Sequence, residues 1–342
     1  MLLASYLLAG LAIVLAWPVP LALARSSWPS RAPAAAMIFW QGIALAGGLS
    51  MIGSFLSWGL QPLGEGFVPA GLALAGAILR ADELPGLDVV HLFALSLAAL
   101  LTGHLVLTLG RSAWRLGRQR QRHREMLAFL SRPEAGPGTA VIDSDTPLAY
   151  CLPGATQLTV LSSGLLRSLS PRELDAVLAH ESAHLEQRHD LLLLAFTSWH
   201  AALPWLPTTR LAVRAVGELV EELADDAALR RSGRAELLGA LAVVAAAALP
   251  DDAGRGSAPA PPAAPTASEA AASPAVPAEA SRAGLLRAAA GSPHEGLSSA
   301  RLARLLQATE PLAPWARRGV GAAGAALVVL PTVLLAGAGW GF

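Results

Sequence analysis

Four apolar runs, at about residues 2–24, 34–60, 87–110 and 319–340, constrain this chain more than any other feature. Each can cross the hydrocarbon core of a bilayer, which takes roughly 20 residues of helix. Lipid gives a backbone amide no hydrogen-bond partner, so runs of this kind are predicted to be helices. Pro18 and Pro20 are expected to kink or shorten the end of the first run. Phe67 to Leu79 is apolar but too short to span, and is read as lying at the interface or packing on its neighbours. Charged residues make up 15% of the chain, against about 25% in soluble domains. The net charge is zero, so no excess positive field exists to attract nucleic acid, and the bilayer is the first expected partner.

The arginines orient the runs. Arg25 and Arg31 follow the first one, and no positive charge precedes it. That polarity is wrong for a secretory signal, although Ala22-Leu23-Ala24 looks like a cleavage site. The connection from Gln61 to Gly86 carries Glu65, Asp82 and Glu83 against Arg80 and is the less basic side. Arg111, Arg115, Arg118, Arg120, Arg122 and Arg124 follow the third run, a cluster that marks the cytoplasmic side and suits anionic headgroups. Arg317 and Arg318 precede the fourth. The expectation is a multi-pass cell-membrane protein with both termini outside and residues 111 to about 316 cytoplasmic. His91 and His104, in the third run, are read as neutral rings satisfied by neighbouring helices, with no acid in the spans to pair with them.

Within the cytoplasmic stretch stands His180-Glu181-Ser182-Ala183-His184. Four residues apart on a helix, His180 and His184 present two imidazoles on one face at a spacing that one zinc ion can bridge. Glu181 sits beside them, placed to take a proton from water at the metal. Ser170-Pro171-Arg172-Glu173 reads as the helix start: Ser at the N-cap, Pro at the first turn, and Glu positioned to close a capping box. Leu174, Val177, Leu178 and Leu185 continue an apolar stripe through the motif. Two solvated helix histidines are the plain alternative.

A catalytic zinc site needs a third ligand and an open position. Asp190 occupies the place where one large class has a third histidine, and His189 should face away from a shared metal. Glu221 and Asp225 form an i, i+4 pair further on, in which Glu221 can ligate while Asp225 accepts a hydrogen bond from a ligand histidine. Glu222 with Asp226 repeats the spacing one residue out of frame, and an acidic solvated helix is the plain reading of the same stretch.

These features resemble the integral-membrane gluzincins: the HtpX and CAAX-prenyl-protease type and, closer in layout, the BlaR/MecR-type antirepressor peptidases. The resemblance rests on the H-E-x-x-H pentad, on Glu221-Glu222-Leu223-Ala224-Asp225 matching an E-x-x-A/C-D pattern, and on the flanking spans. It covers residues 139 to 230 well and the rest by topology. It implies that His180, His184 and Glu221 bind Zn²⁺, that Glu181 is the base, and that Asp225 orients a ligand histidine. The fold it implies is a mainly α membrane protein, four transmembrane helices with a cytoplasmic α+β zincin domain. The activity is that of a zinc metalloendopeptidase cleaving protein or peptide substrates at the cytoplasmic membrane face, either a transcriptional repressor or other signalling protein, or membrane proteins under quality control. A non-catalytic membrane receptor or scaffold that keeps the fold is the rival from another class.

The expected division is a three-span region over 1–110, a peptidase domain over 111–249, a Pro/Ala-rich linker over 250–283, a helical return over 284–316, and a last span over 317–342. Thr139 to Ile142, Leu148 to Cys151 and Gln157 to Val160 read as short strands, and Ser163 to Ser168 as a short helix. In the resembling family a strand beside the cleft pairs with substrate backbone, and Leu158 to Val160 is a candidate for that edge. Leu191 to Leu206 reads as a helix packed on the membrane face or buried in the domain. Arg301 to Leu306 reads as an amphipathic helix packing back on the domain. Arg230 and Arg231 read as surface residues. The single cysteine, Cys151, excludes an internal disulfide and is given no role. The chain contains no Lys, so the S-x-x-K nucleophile of a penicillin-binding sensor is not expected in it.

Overall fold

A computed structural model of the chain describes residues 1–64, 66–80, 86–130, 138–154, 157–247, 299–307 and 310–337. The linker expected over 250–283 lies outside the described residues. In chain order the elements are α1 (Leu2–Ala16), α2 (Pro18–Ala24), α3 (Pro33–Gly59), α4 (Phe67–Arg80), α5 (Val89–Leu130), β1 (Thr139–Ile142), β2 (Ala149–Leu152), β3 (Leu158–Ser162), α6 (Ser163–Ser168), α7 (Pro171–Glu186), α8 (His189–Ala202), α9 (Pro207–Leu229), α10 (Arg234–Ala246), α11 (Ser299–Gln307) and α12 (Pro314–Gly337). They form two compact units, one of residues 1–114, 188–223 and 307–342, the other of 115–187 and 224–306.

Among the described residues, four helical stretches are long and apolar enough to cross a membrane: α1 with α2, α3, α5 and α12. The first is interrupted at Trp17, whose φ of −129° and ψ of −74° leave the helical region. Pro18 and Pro20 lie just beyond, where their missing amides cost the new helix α2 nothing. α3 and α12 approach at facing glycines, where a Cβ added to Gly42 would meet the backbone of Gly324 and one added to Gly324 the backbone at Ile38 and Phe39. Small residues permit that approach, and in lipid the packing itself drives association.

α8 and the first half of α9 bury Phe196, Ala212, Val216, Leu219 and Val220 in a cluster with Leu15, Leu23, Met37, Trp40 and Ile43 of the apolar helices. The Leu191 to Leu206 run therefore packs one face on those helices, through Leu192, Leu193 and Phe196, while Leu191 and Trp205 stay exposed. The ring of His104 lies 3.0 Å from the Ala202 carbonyl at the end of α8. Asp88 corrects the expectation that no acid pairs with a span histidine. It precedes α5, accepts from the amides of Val90 and His91, and lies 2.6 Å from His91 Nδ1. An N-cap carboxylate serves the helix's unpaired amides and its ring neighbour together.

The second unit is built round a three-stranded sheet of order β1-β3-β2, with β1 parallel and β2 antiparallel to β3. Side chains alternate across it. Ala140, Ile142, Tyr150, Leu152 and Val160 pack with Leu127 near the end of α5, while Ala149 and Leu161 pack with Leu165, Val177 and Ala240. Leu158 to Val160 lies in the central strand, paired on both sides, and so offers no ladder to a substrate. β2 is the edge strand that packs against α7.

Gly324→Leu is expected to cost about 1–3 kcal/mol, as overpacked cores do. Gly319→Leu, where an added Cβ meets nothing within 4 Å, should leave stability nearly unchanged. Thermal unfolding of the detergent-solubilised protein, followed by tryptophan fluorescence, separates the two.

Candidate functional site

α7 begins as its sequence predicts. Ser170 is its N-cap, with φ −68° and ψ 160°, and a capping box joins it to Glu173. Glu173 Oε2 accepts from the Ser170 amide at 2.8 Å, a bond that holds the Glu173 carboxyl below its ordinary value, with the Ser170 hydroxyl adding to the effect. Pro171 fills the first turn, and Leu174, Val177 and Leu178 pack towards the sheet side. The start of the helix is thus pinned about two and a half turns before His180.

His180 and Glu181 are buried, and Ala183 packs with Ala224 and Ala227 of α9. Methyl-sized contacts let α7 and α9 approach closely, and that approach carries acidic residues to the histidines. Asp225, fully buried, has Oδ1 3.1 Å from His180 Nδ1. Glu221 stands one turn earlier on the same unbroken helix. One ligand atom from each of His180, His184 and Glu221 lies within 4.8 Å of the others. This is the metal-capable group found among the described residues. His189 is buried but outside it, and Glu222 is likewise outside.

The donor set fits zinc. The Nε2 atoms of His180 and His184 are 3.3 Å apart. Two imidazole nitrogens on one tetrahedral zinc, at Zn–N distances near 2.05 Å, are separated by about 3.3 Å. Either an N–H···N hydrogen bond or a shared cation accounts for so close an approach. With Nδ1 of His180 turned to a carboxylate, Nε2 is the ring nitrogen that could take a metal.

Burial pushes the Asp225 carboxyl up, but hydrogen bonds and charges from Arg301 and His180 outweigh it and hold the carboxyl below its ordinary value. Arg301 Nε donates to Oδ2, and a terminal guanidinium nitrogen donates to Oδ1, each at 2.7 Å. One turn on, Arg304 donates to both oxygens of Asp226, at 2.8 and 3.0 Å, so the out-of-frame acid has a cationic partner of its own. These two arginines were not singled out by the sequence. Arg301 is 76 residues from Asp225, and no spacing rule links them. Their only signal was position, three apart on a short amphipathic helix. Arg231 donates to Ser182 Oγ at 3.1 Å and to Glu186, at an exposed position. Cys151 lies in β2, where burial and the charge of Glu181 push its thiol up to about 11, so it is no thiolate nucleophile at neutral pH.

Residues 114–250 match the family model of peptidase family M48. This is a family of zincin-type metallopeptidases, and a protein or peptide substrate goes with it. The match takes in the end of α5, the sheet, and α6 to α10, and so contains His180, Glu181, His184, Glu221 and Asp225. It ends before α11, which carries Arg301 and Arg304. No curated protein and no solved structure matches the chain.

Replacing Glu221 by Gln is expected to weaken zinc binding about tenfold or more, whereas Glu222→Gln leaves it within about threefold. Competition with a chromophoric chelator on the purified protein reads the difference, and the reverse order would move the ligand to Glu222.

Proposed function

We propose that the chain is a zinc-dependent endopeptidase whose catalytic domain, residues 111–249, works at the cytoplasmic face of the membrane. The observation that carries this reading is the His180, His184 and Glu221 group with buried Glu181 beside it on α7, inside the segment matching M48. Zinc bound by that group supplies a Lewis acid that polarises a carbonyl oxygen and eases deprotonation of water.

The chain's own residues do the remainder. Glu181 accepts a proton from the attacking water and later returns one to the leaving amine. Asp225 holds His180 by Nδ1 and so fixes the ring angle. β2, the edge strand on the α7 side, offers backbone groups along which an extended substrate segment can add as a further strand. The cytoplasmic assignment is supported by the six arginines between Arg111 and Arg124 that follow the apolar part of α5. The resemblance to antirepressor peptidases favours regulatory cleavage of a repressor or other signalling protein over general quality control. A scaffold that kept only the metal would need the histidines but not the Glu181 carboxylate.

Zinc content and proteolysis test this together on detergent-purified protein. Wild type should carry about one zinc per chain and His184→Ala none. Glu181→Gln should keep the zinc while its turnover of an unstructured protein substrate falls about 10²–10⁴-fold. A well-folded wild type without zinc, or a Glu181→Gln variant as active as wild type, overturns the reading.

A further inference from the structure

The His180 ring is set by more than the carboxylate it touches. Asp225 has no solvent exposure, and a lone buried anion is costly unless a cation and hydrogen bonds compensate it. Arg301 provides both through one planar guanidinium that grips both carboxylate oxygens, each at 2.7 Å. Two parallel bonds from a rigid fork fix the plane and rotation of a carboxylate, which a single point charge does not. One of the two oxygens that the fork holds, Oδ1, lies 3.1 Å from His180 Nδ1. Rotating that carboxylate would move the acceptor away from the ring and release the angle at which His180 Nε2 faces His184.

We propose that Arg301 is a positioning residue of the metal centre, acting through Asp225 on His180. It comes from α11, outside the segment that matches the peptidase family. α11 has its own anchors. Leu305 is buried with Ala176, Ala179, Ala228 and Leu237, and Arg234 donates to the Leu305 carbonyl. The helix therefore does not depend on Arg301 alone for its seat. Arg304 supplies an internal comparison from the same helix, one turn on, where one terminal guanidinium nitrogen donates to both oxygens of the half-buried Asp226. The loss expected on removing Arg301 is thus one of metal affinity, beyond the loss of an ion pair to α9, which removing either arginine brings.

The inference rests on the zinc reading above, and the experiment separates the two. Full-length protein in detergent is compared as wild type, Arg301→Gln, Arg301→Lys, Arg304→Gln, Asp225→Asn and the Asp225→Asn/Arg301→Gln double variant. Zinc affinity is read by chelator competition, and metal-free thermal stability by tryptophan fluorescence. Arg301→Gln should lose zinc affinity about tenfold or more, the range seen when groups supporting a metal ligand are removed. Arg304→Gln should keep its affinity within about threefold although its metal-free stability also falls. In the Asp225→Asn background, Arg301→Gln should add little further loss. Arg301→Lys, which keeps the charge but not the fork, should recover only part of the affinity, and it also serves if Arg301→Gln does not fold.

Equal zinc affinity in Arg301→Gln and Arg304→Gln, a full additional loss in the double variant, or wild-type affinity in Arg301→Lys would overturn the positioning role while leaving the peptidase reading intact. A wild type that takes up no zinc would overturn both.

Discussion

A buried carboxylate between an imidazole and a guanidinium is the interaction on which the site depends. Asp225 is fully buried and reached by His180 from α7 and by Arg301 from α11. Three segments distant in sequence are thereby tied at one charge. Interior low dielectric makes such an arrangement stringent: fully satisfied it fixes geometry, and with one partner missing it leaves an uncompensated charge. The neighbouring Arg304 and Asp226 pair joins the same two helices at a half-buried carboxylate that reaches no histidine among the described residues. The same chemistry thus serves packing in one case and orientation of a ring in the other.

Small residues set the distances. Ala183, Ala224 and Ala227 fill the space between α7 and α9, and Ala176, Ala179 and Ala228 receive Leu237 and Leu305. A larger side chain at these positions would push α9 outward and carry Glu221 and Asp225 away from the histidines. Among the apolar helices Gly42 and Gly324 do the equivalent work for α3 and α12. The Ala-rich and Gly-rich composition therefore has a mechanical consequence whatever its origin in the coding sequence.

Much of the arrangement was legible in the residues. The capping box at Ser170 and Glu173, the three short strands, the break near Pro18 and the four apolar helices all follow from local rules, because each depends on neighbours within a turn or a strand. The i, i+4 spacings of His180 with His184 and of Glu221 with Asp225 were equally legible, since helix periodicity alone puts each pair on one face. Which strand lies at the edge was not legible, and Leu158 to Val160 proved to be central: three strands of similar length and character admit several orders, and only pairing selects one. Asp88 was overlooked because it sits at a boundary, where it acts as a helix cap and as a partner for His91 together.

The sequence by itself determined the elements, the apolar spans, the metal-capable motif and the class of chemistry that motif supports, because periodicity, capping and hydropathy act over a few residues. The tertiary structure alone decided which strand borders α7 and that Arg301 closes on Asp225. Those outcomes depend on side chains up to 76 residues apart meeting in a water-poor interior. There the packing of alanines and the need to pair a buried charge choose among partners that the sequence lists as equals.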